Sequence, residues 1–387
     1  MNLTGRDIVC LSTHYWDDRW FRKQEFMSRF ATANRILFVE PSASMVRAPE
    51  TFLRDVATNR HLRPTLEQRA ERLYLLKPPR GLPKWSNPVV ERANYRWYGS
   101  IVGRAVRRLG FHDAIVWVYR PSFLYGLDQI PHEHLVFDLV DDLAAYDPAQ
   151  AERVEAQVTA LAERSDLLVA TAQPLLERYG SLARATAYVP NGFDPAIFSP
   201  AGVDGAPDAL RDIPRPIIGY LGALFLFLDF PLLEAVARAH RDKSLVLLGP
   251  LEATAADAAE RLIQHPNVFY LEPRPKPEVP SYVAQFDVGL SPFRVGRVAD
   301  SVSPLKVYEY LAMGRPVVSV PMQALQADEA GRVVTFAEGH EDFCGAIDRC
   351  LDPTVQAATQ ERIDVVAPYT WDRLFARLDA ACATALG

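Results

Sequence analysis

Short apolar runs alternate with longer segments whose apolar positions recur every three or four residues, and this pattern persists through most of the chain. In the first half, runs at 7–12, 35–39, 114–118, 135–139, 167–170 and 187–189 read as strands, with helices over 22–33 and 152–163 among them. The interval 42–88 reads as a longer irregular region that interrupts the scheme. After VPNGFDPAIFSP the chain becomes loop-rich through Pro214 and Pro216, the place for a linker. The alternation then restarts with strands at 217–221, 245–248, 268–271, 288–291 and 317–320. Strand–helix alternation of this kind builds parallel sheets with crossover helices, so two successive doubly wound, Rossmann-like α/β domains are expected, at 1–198 and 214–370. A tail at 371–387 places Trp371, Leu374, Leu378 and Ala381 at helical spacing.

Composition narrows the class. The 387 residues allow two or three domains with sizeable cores. No apolar run reaches the roughly 18 residues of a membrane span, and the opening MNLTGRDIVCLSTHY reads as a strand entering a loop rather than a signal peptide. Cys10, Cys344, Cys350 and Cys382 lack CxxC or zinc-like spacing and read as free thiols of a cytoplasmic protein. The His residues form no HExxH or His–Cys cluster, so no metal is expected. The net charge of −6 conceals an asymmetry: from Arg19 to Arg108 there are 19 Lys and Arg against 7 Asp and Glu, a net of +12, which leaves −18 elsewhere. Within that basic segment Trp85, Tyr95, Trp97 and Tyr98 accompany Lys84, Arg92, Arg96, Arg104, Arg107 and Arg108, opposite a stripe of Ile101, Val102, Ala105, Val106 and Leu109. Such a face suits an anionic membrane surface; nucleic acid fits the acidic remainder poorly.

Four stretches carry candidate chemistry. The first, SVSPLKVYEYLAMGRPVV from Ser301, reads as a short helix that Gly314 and Pro316 terminate. On it Lys306, Glu309 and Tyr310 share a face and Leu305, Tyr308, Leu311 and Ala312 form the apolar stripe. With Ser303 and Pro304 before it, the helix N-terminus offers free N–H groups and a cation to a phosphate, and Glu309 can accept both hydroxyls of a ribose. A solvated Lys306–Glu309 pair is the plainer alternative. The second is GYLGAL, where Gly222 at a strand end lets backbone approach phosphate; the following FLFLDFP supplies no cation, so Lys306, Arg294 and Arg297 must meet the phosphate charge. Arg294 and Arg297 belong to SPFRVGRVAD, an anion-binding loop or a solvated one. The third is DLVDD, placing Asp138, Asp141 and Asp142 at a strand's carboxyl end, as a helix cap, a metal site or a catalytic base. The fourth, THYWDDRWFRKQEF, offers His14, Trp16, Arg19, Trp20 and Arg22 to a sugar, with His14 as a proton shuttle or a satisfied strand-end histidine.

PLKVYEYLAMGRPVV resembles the donor-nucleotide helix of GT-B glycosyltransferases of the family 4-like group. That resemblance implies two Rossmann-like domains facing a central cleft, the N-terminal one (1–198) binding acceptor and the C-terminal one (214–370) binding an NDP-sugar, with 371–387 crossing back to the first domain. A Glu at the place of Glu309 holds the ribose in those enzymes. Many also carry a second Glu eight residues earlier, where this chain has Ser301, a departure from the pattern that serves the retaining mechanism. VDDLAAY resembles the strand-end Asp loop of inverting GT-B glucuronosyltransferases of bacterial exopolysaccharide assembly, in which the Asp matching Asp141 is the general base. The chain as a whole resembles bacterial exopolysaccharide and teichuronic-acid-type glycosyltransferases. The resemblance therefore implies metal-independent transfer of a hexosyl or glycuronosyl group from an NDP-sugar to a glycan or lipid-linked acceptor. Gly222, Arg294, Ser303, Pro304, Leu305, Lys306 and Glu309 would bind the donor, and His14, Trp16, Arg19, Arg22 and Asp142 the acceptor. The site would be cytoplasmic, with peripheral contact at the inner face of the cytoplasmic membrane. A sugar-nucleotide 2-epimerase-like isomerase of the same fold and a non-catalytic nucleotide-sugar or glycan-binding subunit are the alternatives.

Overall fold

The structure is a computed structural model that describes residues 2–17, 20–41, 63–79, 87–203 and 205–387. The chain divides into two compact units, the first made of Met1–Thr171, Leu175–Val189 and Phe375–Gly387, the second of Ala172–Pro174 and Pro190–Leu374. Each is an α/β unit built on a mainly parallel sheet.

Among the described residues, the first unit's sheet contains β1 (Asp7–Leu11), β2 (Arg35–Val39), β3 (Thr65–Ala70), β4 (Leu73–Lys77), β5 (Ile115–Val118), β6 (His134–Leu139), β7 (Leu167–Ala170) and β8 (Thr186–Tyr188), in the order β3-β4-β2-β1-β5-β6-β7-β8. Every neighbouring pair is parallel except β3 with β4. Strands β1 and β5 are buried at every position, the signature of a sheet covered on both faces. The hairpin β3–β4 corrects the reading of 42–88 as irregular throughout. Leu73, Leu75 and Leu76 anchor β4 beside β2, whereas β3 is an exposed edge strand of charged residues whose pattern hides it; 42–62 and 80–86 lie outside the described residues. Helix Pro88–Leu109 begins at an Asn87 cap that accepts from the Val89 N–H at 2.9 Å, and it stops at Gly110 in the left-handed region. It lies so close to segment Pro121–Gln129 that a Cβ on Gly99 or Gly103 would fall 2.2 or 2.1 Å from the carbonyl oxygens of Gly126 and Gln129. From Phe375 onward, helix Trp371–Leu386 packs on this unit: Phe375 meets the Phe30 ring edge-on, and Asp379 accepts from the Leu3 N–H at 2.9 Å.

The second unit's sheet contains β9 (Ile217–Leu221), β10 (Ser244–Leu248), β11 (Val268–Leu271), β12 (Val288–Ser291), β13 (Val317–Ser319) and β14 (Val334–Phe336), ordered β11-β10-β9-β12-β13-β14 and parallel throughout. The three-residue edge strand β14 is too short to give a pattern of its own. Helix Leu305–Ala312 joins β12 to β13, so its N-terminus stands at the carboxyl end of the sheet. Val307, Tyr308, Tyr310, Leu311 and Ala312 are buried while Leu305 is half-buried. Tyr310 therefore faces inward, rather than sharing an open face with Lys306 and Glu309, because the sheet covers one side of the helix and helix Thr359–Val366 another. Strand order reverses between β1 and β5 in the first sheet and between β9 and β12 in the second, the positions where open α/β sheets leave a crevice.

Gly99→Ala is expected to lower stability by about 1–3 kcal/mol, since the added methyl meets backbone that can give way only by shifting an entire segment. Chemical denaturation checks this; an unchanged midpoint would mean that the helix can move aside freely.

Candidate functional site

At the second unit's crevice the chain turns sharply. Gly222 follows β9 with φ +136 and Gly249 follows β10 with φ +151, conformations that side-chain-bearing residues rarely adopt. A Cβ on Gly249 would overlap the Gly222 carbonyl at 2.1 Å, and one on Gly222 would crowd Lys306 Cε and the Tyr220 hydroxyl, each at 3.2 Å. Lys306 Nζ donates to the Tyr220 hydroxyl at 3.2 Å and lies 4.5 and 4.7 Å from the ring centres of Tyr220 and Phe293. Burial pulls its pKa down to about 7 against the attraction of Glu309, and burial pushes Glu309 up to about 7 against the attraction of Lys276 and Lys306. The helix start is fixed by Ser303, whose hydroxyl accepts from the Asn191 N–H at 3.0 Å while its carbonyl accepts from the Asn191 amide at 2.9 Å. Pro304 caps the helix and is buried, and Leu305 opens it. At the other end Gly314 is left-handed and its carbonyl accepts from Arg362 Nε at 2.8 Å. Arg294 is exposed, its Nε bonded to the Leu228 carbonyl at 3.2 Å, and Arg297 opens a short helix nearby.

At the first unit's crevice, acid is buried deeply. Asp138, 0 % exposed near the end of β6, accepts from Arg22 Nε at 3.0 and 3.1 Å and from Trp117 Nε1 at 3.3 Å. Lys23 is buried with its ammonium 4.7 Å from the Tyr119 ring centre, and burial depresses its pKa against the attraction of Asp138 and Asp141. Asp141 rises to about 7 because burial outweighs the Lys23 charge and the hydrogen bond from the Tyr146 hydroxyl, with Asp142 pushing the same way as burial. A carboxyl near neutrality beside a lysine can accept a proton from a substrate hydroxyl. Asp142 is itself buried, 3.4 Å from Arg178 Nη1.

The residues expected at the acceptor separate. Arg22, 3 % exposed, is turned inward onto Asp138, and Trp16 is buried against Phe38, its N–H bonded to Glu40 at 3.0 Å. Trp20 and Tyr15, each 44 % exposed, are open aromatics of that loop. His14 is half-buried, its Nδ1 3.0 Å from the Thr13 hydroxyl and its ring against Phe21. Arg19 lies outside the described residues. Tyr220, Phe293, Lys23 and Tyr146 were not singled out in the sequence. Tyr220 and Tyr146 stood within GYLGAL and VDDLAAY all the same, and a tyrosine beside a strand-end acid or glycine is the signal that could have found them. Among the described residues no group of three or more His, Cys, Asp or Glu could hold a metal ion, and the cysteines are free.

Residues 215–353 match the family model described as "Glycosyl transferases group 1". Over 196 residues the chain is 29% identical to the "Putative teichuronic acid biosynthesis glycosyltransferase TuaH" of Bacillus subtilis (strain 168), a match spanning about half of each chain, 49% of this one and 49% of the relative. Among solved structures it is similar to a sucrose-phosphate synthase from Thermosynechococcus elongatus, with TM-score 0.71, 14% identity, and 98% of both chains covered. An α,α-trehalose 6-phosphate synthase from Burkholderia multivorans gives TM-score 0.72 at 13% identity, with 99% of both chains covered. HepE of Anabaena, solved in complex with UDP and glucose, gives TM-score 0.65 at 14% identity, covering 98% of this chain and all of that one (100%).

The shifted groups should mark the stability profile in two windows. Asp141 and Glu309 hold a proton more tightly when folded, so they take stability away as pH rises from about 4 to about 7. Lys306 releases its proton more readily when folded, so it adds stability as pH rises from about 7 toward 10.5. Asp141→Asn and Glu309→Gln are expected to flatten the acid-side fall in Tm, and Lys306→Met the alkaline-side rise. Slopes identical to wild type in all three would show that these groups titrate normally.

Proposed function

From the match of residues 215–353 to the group 1 glycosyl transferase model, we propose that the chain transfers a hexosyl or glycuronosyl group from an NDP-sugar to a glycan or lipid-linked acceptor in bacterial cell-surface polysaccharide synthesis. The observation that carries this reading is the Lys306 ammonium held against Tyr220 and Phe293, beside the Gly222 turn, at the start of helix Leu305–Ala312. A nucleoside diphosphate placed there meets a cation, free helix N–H groups and a glycine backbone, while Glu309, one turn on, accepts the ribose hydroxyls. Arrival of the diphosphate's negative charge draws the proton back onto Lys306, so binding itself charges the group that stabilises the leaving diphosphate. Ser303 with Pro304 and Leu305 sets the helix start, and Arg294 supplies further positive charge.

On the acceptor side, Asp141 takes the proton of the attacking hydroxyl. The acceptor oxygen bonds to the anomeric carbon, the anomeric carbon–oxygen bond breaks, and the diphosphate leaves with the electron pair. Direct displacement of this kind inverts the anomeric centre. Lys23 holds Asp141 short of a still higher pKa, and Asp142 and His14 flank the acceptor hydroxyl. No metal enters this scheme, because Lys306 and the helix terminus take the leaving charge. The 2-epimerase and non-catalytic readings gain no observation of their own.

Peripheral membrane contact belongs to the same reading. On helix Pro88–Leu109 the stripe Ile101, Val102, Ala105 and Val106 packs inward, while Arg92, Arg96, Arg104, Arg107 and Arg108 are exposed alongside Trp97, 40 % exposed. A cationic face with an interfacial tryptophan supports docking on an anionic membrane that carries a lipid-linked acceptor at the inner leaflet. Among the described residues no helix is long and apolar enough to cross a membrane.

Calorimetric titration with UDP and other nucleoside diphosphates tests the donor side. Glu309→Ala should weaken the cognate nucleotide by about 1.5–3 kcal/mol, the value of hydrogen bonds to a charged group, and Lys306→Ala should weaken diphosphate and sugar nucleotide alike. Affinity unchanged in both variants would remove the nucleotide from this helix.

Asp141→Asn keeps shape and removes basicity. Turnover should drop on the order of 10²–10⁴-fold with donor affinity intact; wild-type turnover, or a product of retained configuration, would place the base elsewhere.

A further inference from the structure

A pocket of about 410 Å³ opens in the first unit at the carboxyl ends of β5 and β6, between helix Pro88–Leu109, segment Pro121–Gln129, the loop after β6 and helix Ala151–Arg164. Its volume is in the range of small-molecule sites. We propose that this pocket seats a neutral sugar unit of the acceptor, one or two rings in size, and that Tyr146 joins that seat to Asp141; the proposal rests on the transferase reading above.

The floor is a hydrogen-bonded polar layer. Ser122, 8 % exposed, donates to Glu91 at 3.0 Å, and Gln157, 3 % exposed, donates to Glu91 at 3.3 Å and to the Tyr125 hydroxyl at 3.2 Å. Arg153 is ion-paired with the same Glu91 carboxylate. Buried polar groups fixed by one another hold their geometry without a ligand, and their remaining lone pairs and protons can read hydroxyl positions. Around them the formal charges balance, with Glu91 and Asp147 against Arg120 and Arg153, so the pocket favours neither an anion nor a cation. That balance fits an uncharged polyhydroxylated ligand and disfavours a phosphate or a nucleotide.

The walls carry aromatic faces at Tyr95 and Tyr146, the first braced edge-on by Phe123 at 5.2 Å. Sugar rings present apolar C–H faces that stack on such rings while their hydroxyls reach polar groups beneath. Tyr146 does two jobs: its side chain lines the pocket, and its hydroxyl hydrogen-bonds the Asp141 carboxylate. Leu143, also in the wall, bonds through its N–H to the Asp141 carbonyl at 3.0 Å. A sugar in the pocket thus presents its edge to the loop that carries the proposed base, and Tyr146 is a positioning residue for both.

Saturation-transfer NMR on the full chain with maltose, cellobiose, lactose and chitobiose, each at millimolar concentration, tests the seat directly. Two variants accompany it. Tyr95→Ala/Arg120→Ala strips one wall, and Val154→Trp fills the space without removing any of the hydrogen-bonding groups named above. At least one disaccharide is expected to bind wild type, and both variants should bind it about tenfold more weakly, the equivalent of one lost hydrogen bond. Equal binding by wild type and variants, or no binding of any of the four sugars, overturns the proposal. Tyr146→Phe adds a readout that simple structural support would not give: it removes the hydrogen bond that holds the Asp141 proton affinity down, so the acidic limb of the pH–rate profile should move to higher pH. A profile that does not move overturns the link to Asp141. UDP titration of the same proteins separates the two readings. Retained UDP binding with lost disaccharide binding supports the seat, whereas a wild-type protein that binds no nucleoside diphosphate sinks the transferase reading whatever the disaccharides do.

Discussion

Charge removed from water at the carboxyl ends of parallel strands is the constraint on which both candidate sites depend. A buried ion must be neutralised, solvated by fixed dipoles, or forced to change protonation state. The first unit uses the first solution for Asp138, which accepts from Arg22 and Trp117 and so fixes the start of helix Arg22–Phe30 against β6. Removal of either partner would strand the other charge in the core, which makes this pair structural. Asp141, three residues further, has Lys23 only at coulombic range and a single phenol hydrogen bond, and its proton affinity rises accordingly. Lys306 is the mirror case in the second unit: two aromatic faces and a hydroxyl contact its ammonium, and the Glu309 carboxylate attracts it without outweighing burial. Well-compensated buried charges here build the fold, and under-compensated ones remain available to a ligand.

That distinction governs how much of the molecule was legible in the sequence. Parallel strands buried on both faces are continuous apolar runs, so β1, β2, β7, β9, β10 and β12 could be read within a residue or so. The edge strands β3 and β14 escape the same logic. Strand β3 exposes its charged residues, β14 has only three positions, and neither leaves a pattern that differs from a loop. Candidate site residues divide along a similar line. Strand-end acids and glycines are visible because the topology dictates where strand ends go. Which way a long side chain turns is decided by partners distant in sequence: Arg22 could have faced a ligand, and only the depth of Asp138, 116 residues later, draws it inward. Trp16 followed Arg22 in this respect, since Glu40 holds its backbone and Phe38 its ring. Tyr220 was overlooked because its neighbour Gly222 carried the motif, although its ring and hydroxyl hold Lys306.

The position eight residues before Glu309 bears on the chemistry most directly. Ser301 is buried and its hydroxyl donates to the backbone carbonyls of Arg297 and Val298 at 2.8 and 3.2 Å, the back-bonding typical of a hydroxyl residue on a helix. It is neither an acid nor directed outward, so it contributes no charge to an anomeric centre. A carboxylate introduced there would have to be buried as Ser301 is, at the cost of desolvating its charge. On the transferase reading proposed above, the acid function then comes from elsewhere in the chain. Of the carboxyl groups raised by burial at a strand's carboxyl end, Asp141 is the one with both a lysine to limit its shift and a hydroxyl to orient it. That combination supports the proposal that base chemistry belongs to the first unit and nucleotide binding to the second.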